Sequence, residues 1–150
     1  MKKKERYERI YQQLLELLKR TDDIDARMAT VSAILHYKLS KALWTGFYSL
    51  KAGELLVKTY QGPLACQVLK KNTGVCWTAI NKKKTIIVPD VHLFQGHIAC
   101  DPRSKSEIVV PVRDKTGIIT GVLDIDCKVL NGFDETDKEY LEKIVRLLIC

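Results

Sequence analysis

A polar segment from 90 to 106, interrupted by glycine and proline, holds several side chains able to do chemistry. Cys100 lies within it, three residues after His97 and three before Arg103. A cysteine reacts as a thiolate, and positive or hydrogen-bond-donating neighbours favour that form. Most cytosolic cysteines are instead small buried hydrophobes, but a polar loop is an unusual place for one. We therefore interpret Cys100 as a nucleophile.

Four other cysteines accompany it. Cys66 follows a Gly-Pro turn, and Cys76 lies near the start of a short predicted helix, where the helix dipole favours a thiolate. Either could meet Cys100, and spacing does not decide which. Cys127, directly after a predicted strand, is interpreted as a packing residue and Cys150 as incidental, because neither lies in a loop that suits a nucleophile.

Zinc binding is a competing use of the same side chains, because zinc takes neutral imidazole and thiolate ligands in a tetrahedron. The residues available for it are His92, His97, Cys66, Cys76 and Cys100. The sequence contains no C-x-x-C pair, the spacing that many zinc sites use. We therefore predict no metal and no other cofactor.

Carboxylates form a second candidate group. Asp124 and Asp126 are two apart on a predicted strand, so their side chains share one face while Ile125 points to the other. Carboxylates brought together raise one another's pKa, which keeps one protonated near neutral pH as an acid. Glu107, at the start of another predicted strand, would join them. The alternative is that the two aspartates cap a turn and Glu107 faces solvent.

Aromatic residues begin the first predicted strand, where Trp44, Phe47 and Tyr48 come close together. Methyl groups and sulfur pack favourably on aromatic rings, so such a wall suits a methylated sulfur group. Core packing alone is the more common explanation of such an aromatic cluster.

Amphipathic and alternating patterns predict the elements that must position these residues. The predicted helices cover about 5–19, 22–40 and 73–80, followed by a last helix that Asp134 caps. The predicted strands are 44–50, 54–60, 85–88, 107–112 and 117–126. Helices at both ends with consecutive strands between them indicate an α+β domain with a largely antiparallel sheet. The sheet face away from the terminal helices would carry the site.

Length and composition limit the alternatives. With 150 residues, of which 46% are hydrophobic, the chain suits one domain with one core. No apolar run approaches a membrane span and the N-terminus lacks a secretory signal, so we expect a soluble, cytoplasmic protein. The net charge of +7 is scattered without interleaved aromatic residues, which argues against a nucleic-acid partner. Five cysteines in the cytosol point to a transient, catalytic disulfide.

Taken together, six segments resemble one family, the free methionine-(R)-sulfoxide reductases, which are GAF-domain enzymes. The segments are WTGFYSL (44–50), QGPLAC (61–66), GVC (74–76), DVHLFQGHIACD (90–101), SEIVVPV (106–112) and GVLDID (121–126). The resemblance implies a single GAF domain over 1–150, with a six-stranded antiparallel sheet flanked by helices. It also implies a homodimer that reduces the R epimer of free methionine sulfoxide, with thioredoxin or a similar dithiol as reductant.

The resemblance also implies roles for individual residues. Cys100 corresponds to the nucleophile, Cys66 to the resolving cysteine and Cys76 to a third redox cysteine. The other corresponding residues are Trp44 and Tyr48 on the methyl side, and Glu107, Asp124 and Asp126, which hold the substrate ammonium and help protonate the sulfoxide oxygen. All of these residues are present in the sequence.

Two departures from the family pattern bear on this assignment. Trp77 replaces a small residue after GVC, which puts the role of Cys76 in question, and Cys127 replaces a serine after GVLDID. Trp77 leaves open a reductase stalled at the sulfenic acid. Because one fold can host many functions, a non-catalytic GAF module that senses a small ligand or redox state is a second alternative. The first predicts a single turnover, and the second predicts ligand binding with a dispensable Cys100.

Overall fold

A computed structural model describes residues 1–97 and 100–150; Ile98 and Ala99, within the GHIACD segment, lie outside the described residues. Four α-helices lie in this described part: α1 (Lys3–Leu17), α2 (Ile24–Lys38), α3 (Gly74–Lys82) and α4 (Glu135–Arg146). It also contains six strands: β1 (Ala42–Lys51), β2 (Glu54–Gln61), β3 (Val68–Leu69), β4 (Ile86–Val88), β5 (Ser106–Arg113) and β6 (Ile119–Cys127). None of the described helices is long and apolar enough to cross a membrane.

The strands form one antiparallel sheet in the order β3-β2-β1-β6-β5-β4. The α+β class and the six-stranded sheet are therefore confirmed. Residue patterns missed β3, because its two residues pair with Leu55 and Leu56 but are too few to show an alternation. The described part of the segment from 90 to 106 is a loop as predicted, apart from a 3₁₀ turn at Val91–Leu93 and Ser106, which begins β5.

The two faces of the sheet pack against different layers. Helices α2 and α4 cover one face, and α1 packs on both of them. That face carries Phe47, Leu123 and Ile125, all fully buried. Helix α3 covers the other face, where it packs in one core with Tyr48 and Val122 of the sheet. The second face is the one on which the candidate site lies.

Local signals set the ends of the helices that support the sheet. Asp23 caps α2 by accepting a hydrogen bond from the Ala26 amide. Asp134 and Asp137 form a capping box at the start of α4. Buried Asp137 also accepts a hydrogen bond from the Tyr7 hydroxyl, which joins the first helix to the last.

Removal of the Tyr7 hydroxyl is expected to destabilise the fold. Tyr7→Phe leaves buried Asp137 with the Lys3 ammonium and the Asp134 amide, and loses one charge-assisted hydrogen bond. We expect the free energy of unfolding to fall by about 1–3 kcal/mol in urea titrations. Tyr11→Phe, which removes the hydroxyl of a partly buried tyrosine on the same helix, is the matched control. Equal effects of the two variants would contradict this account.

Candidate active site

A cavity opens on the α3 face of the sheet, with an empty volume of about 590 Å³ including its mouth. Seven of the eight predicted site residues line it: Trp44, Tyr48, Cys76, Cys100, Glu107, Asp124 and Asp126. The eighth, Cys66, does not line it, although its neighbours Leu64 and Ala65 do. The tertiary structure therefore brings together groups that lie up to 82 residues apart in the chain.

Strand pairing places the three carboxylates. Strand β6 lies between β1 and β5, so Asp126 is directly opposite both Glu107 and Trp44. Asp124, two residues earlier on β6, lies opposite Val109 and Gly46. Because alternate residues of a strand share a face, all three carboxyl groups point towards α3. The alternative, in which the aspartates cap a turn and Glu107 faces solvent, is wrong.

Burial makes these carboxyl groups weaker acids than usual, because it raises their pKa. Burial, and then the neighbouring charge of Asp126, raise the pKa of Glu107 to about 8. Burial and the neighbouring carboxylates also raise the pKa of both Asp124 and Asp126 well above the usual range. Ser104 donates a hydrogen bond to Asp126 Oδ1 at 3.2 Å, which partly opposes this shift. The cluster therefore retains protons at neutral pH and can act as an acid.

The protonated state of Glu107 also links stability to pH. A carboxyl whose pKa rises from 4.5 to about 8 on folding binds protons more tightly in the folded state, so stability falls as pH rises between these values. In EDTA-treated protein, the free energy of unfolding should drop by about 2 kcal/mol from pH 6.5 to pH 8, and less in Glu107→Gln. Urea titrations at the two pH values measure this. An identical drop in both proteins would exclude Glu107 as the source.

The aromatic wall is formed by two of the three predicted residues. Trp44 stacks on Tyr48 at 5.6 Å between ring centroids and on Tyr60 at 5.2 Å. Phe47, an odd number of residues from both, points to the opposite face and packs in the other core. Gly46 makes room for the indole, since a Cβ atom there would lie 2.8 Å from Trp44 Cη2.

Two polar atoms in the cavity wall have no hydrogen-bond partner among the described residues: Trp44 Nε1 and Asp124 Oδ1. Both side chains are at least nine-tenths buried. Buried donors and acceptors are normally paired, because an unpaired group loses its solvation without compensation. These two atoms are therefore available to a bound ligand, one as a donor and one as an acceptor.

A disulfide joins Cys66 to Cys100, with their Cα atoms 5.8 Å apart, within the usual range for such bonds. It connects the segment after β2 to the loop before β5. Cys100 is exposed and Cys66 is partly buried. The Tyr48 hydroxyl donates a hydrogen bond to the Cys66 carbonyl oxygen at 3.2 Å, which ties the aromatic wall to the disulfide.

The surroundings of the other predicted groups differ from expectation. Burial, and then the charges of Asp124 and Glu107, raise the pKa of the Cys76 thiol, so they outweigh the helix N-terminus that favours a thiolate. Arg103 pairs with Asp101 at 2.7 Å and is exposed, so its charge is engaged by its own loop. The Arg103 charge is therefore compensated by Asp101 and contributes little to a thiolate at Cys100.

Three lining residues went unrecognised as part of the site or were given a different role: His97, Asp101 and Ser104. His97 was considered only as a neighbour of Cys100 or a zinc ligand, yet its Nε2 lies 3.5 Å from Glu107 Oε1. Burial lowers the pKa of His97, which favours the neutral imidazole. Their position in the loop from 90 to 106 was the available signal, but the direction of their side chains depends on how that loop folds over the sheet.

The residues that depart from the family pattern are buried outside the cavity lining. Trp77 donates a hydrogen bond from Nε1 to the Leu69 carbonyl oxygen at 3.1 Å, which fastens α3 to β3. Cys127 is buried at the end of β6 next to Ser106, its partner across the sheet. Cys150 is exposed. Trp77 thus has a packing role that leaves the cavity open.

Comparison with known proteins identifies the family of this chain. Residues 6–148 match the GAF domain family. The free methionine-R-sulfoxide reductase of Escherichia coli is 42% identical over 123 residues, which cover 82% of this chain and 74% of the relative. The chain belongs to the free methionine-R-sulfoxide reductase family of GAF-domain proteins.

Two further members of the family support the assignment. The Saccharomyces cerevisiae free methionine-R-sulfoxide reductase is 50% identical over 108 residues, or 70% of this chain and 60% of that protein. A crystal structure of the Neisseria meningitidis enzyme in complex with its substrate superposes with a TM-score of 0.94 at 37% identity. It matches 99% of this chain and 89% of the Neisseria chain.

Proposed function

We propose that this protein reduces free methionine (R)-sulfoxide to methionine through Cys100 and then forms the Cys66–Cys100 disulfide. One observation carries the proposal: this disulfide closes one side of a cavity whose other walls hold three proton-retaining carboxyl groups and stacked aromatic rings. A thiol, an acid and an apolar surface for a methyl group are the parts that sulfoxide reduction needs.

In the first step, the Cys100 thiolate attacks the sulfoxide sulfur while a carboxyl of the cluster protonates the sulfoxide oxygen. The sulfur–oxygen bond of the substrate breaks and the oxygen passes to Cys100. The substrate sulfur gains two electrons and leaves as methionine, and Cys100 becomes a sulfenic acid. Glu107, with its pKa of about 8, is protonated at neutral pH and suits the donor role.

In the second step, the Cys66 thiolate attacks the sulfenic sulfur, water leaves with a proton from the site, and the disulfide forms. The Cα separation of 5.8 Å supports Cys66 as the resolving cysteine. Thioredoxin or a similar dithiol then supplies two electrons to reopen the disulfide, and the exposure of Cys100 gives such a reductant access. Cys76, buried in the cavity wall, would act as the third redox cysteine of this cycle.

Substrate recognition follows from the cavity walls. The carboxylates Asp124 and Asp126 would hold the ammonium group of the free amino acid, and Trp44 and Tyr48 would pack against its methyl group. An amino group that is free to bind buried carboxylates distinguishes the free amino acid from a methionine sulfoxide residue within a protein chain. We further propose a homodimer, which sedimentation analysis would test.

The proposal is tested by incubating the protein with purified R or S epimer of free methionine sulfoxide and either dithiothreitol or thioredoxin. We expect many methionine molecules per chain from the R epimer and none from the S epimer. A single methionine per chain would indicate a reductase stalled after the sulfenic acid. Binding of either epimer without turnover would replace the proposal with a sensing module.

A further inference from the structure

Three buried groups with metal-binding atoms converge on the inner wall of the cavity. One ligand atom each from Cys76, Glu107 and Asp124 lies within 4.8 Å of the other two. His97 Nε2 lies 3.5 Å from Glu107 Oε1, so an imidazole borders the same cluster. Ligand atoms around tetrahedral zinc, with bonds of about 2.0–2.3 Å, are about 3.3–3.8 Å apart. At 4.8 Å or less from one another, the ligand atoms of Cys76, Glu107 and Asp124 are about 1 Å or less from the upper end of that spacing.

A second observation points to a positively charged ligand. Asp124 Oδ1 has no hydrogen-bond partner among the described residues, although the side chain is more than nine-tenths buried. Glu107, Asp124 and Asp126 line the cavity together, whereas its described lining includes no lysine or arginine. A buried acidic surface without a paired cation is costly unless protons or a metal ion compensate it.

We propose that Cys76, Glu107 and Asp124, with His97 as a fourth ligand, bind a thiophilic divalent cation such as Zn²⁺. A set with one sulfur, one imidazole nitrogen and two carboxylates suits zinc, whereas Mg²⁺ and Ca²⁺ prefer ligands that are all oxygen. This set differs from the one considered from the sequence, because the disulfide engages the sulfur atoms of Cys66 and Cys100.

The cation would inhibit the enzyme and is not a cofactor of it. It would occupy the carboxylates that bind and protonate the substrate, so bound zinc and bound methionine sulfoxide exclude each other; this consequence rests on the proposed function. Bound zinc would thereby keep the substrate out of the cavity. The binding itself depends only on the four side chains and is tested without substrate.

The experiment uses oxidised protein, in which the Cys66–Cys100 disulfide is intact, and titrates it with Zn²⁺ by calorimetry. Co²⁺ is titrated separately, because a thiolate ligand gives cobalt a charge-transfer absorption. We expect one cation per chain and a thiolate–cobalt band in both wild type and Cys150→Ser, which removes the exposed free thiol. Cys76→Ser and Asp124→Asn should each weaken zinc binding by more than about 100-fold.

Several results would overturn the proposal. These are no saturable zinc binding by the wild type, a cobalt complex without a thiolate band, or binding that survives in either cavity variant within about threefold. Loss of binding in Cys150→Ser would place the cation at the surface. If circular dichroism shows that one cavity variant does not fold, the zinc affinity of the other variant and the cobalt spectrum of the wild type test the proposal. Absence of reductase turnover would leave the zinc-binding result unaffected. Absence of zinc binding would likewise leave the reductase result unaffected.

Discussion

Cys100→Ser is expected to lower kcat/KM for free methionine (R)-sulfoxide by at least about 10³-fold, since serine cannot supply the thiolate that takes the oxygen. Methionine formed with dithiothreitol as reductant is the measurement, made on both proteins at equal concentration. The loss should appear in the first turnover as well as in the steady state. Because Cys100 is exposed in a loop, the variant should unfold at a urea concentration close to that of the reduced wild type.

Two other cysteine variants separate the nucleophile from its neighbours. Cys150→Ser, which changes an exposed thiol outside the cavity, is the matched control and should keep wild-type activity. Cys66→Ser should release one methionine per chain and then slow, because the sulfenic acid on Cys100 loses its disulfide partner. Full steady-state activity of Cys100→Ser would remove the proposed mechanism altogether.

Glu107→Gln is expected to lower kcat/KM by about 10²-fold or more, the usual contribution of a positioned acid. Glutamine keeps the shape of the side chain but cannot give up a proton. With the pKa of Glu107 at about 8, the wild type should lose activity as pH rises above 8, because the donor is then ionised. The initial rate is measured from pH 6 to pH 10 in the presence of EDTA. It checks both the lower kcat/KM of Glu107→Gln and the descending limb of the wild-type pH profile, which is the fall in rate above pH 8.

The descending limb belongs to the three carboxyl groups together, since they interact too strongly to titrate independently. In Glu107→Gln it should therefore move or disappear. Glu54→Gln, an exposed glutamate at the start of β2, is the control and should keep both the rate and the limb. An unshifted limb in Glu107→Gln, with less than about a threefold loss of rate, would show that Glu107 takes no part in proton transfer.

Local patterns were sufficient to identify most of the elements. The periodicity of apolar residues predicted the helices, and alternation predicted the longer strands, because both depend on neighbours a few residues away. The two-residue β3 escaped this reasoning, since it exists only through its pairing with β2. The N-cap Asp134 was recognisable because a cap contacts its own first turn.

The sequence by itself determined that Asp124 and Asp126 share a face and that Cys100 lies in a loop with Asp101 and His97, as both follow from backbone geometry and local composition. Only the tertiary structure decided which cysteine reaches Cys100, and that Glu107 stands opposite Asp126 in the register of β5 and β6. It also decided that Cys76 is buried against carboxylates. Register, burial and loop direction depend on contacts between distant segments, and spacing along the chain carries no information about these.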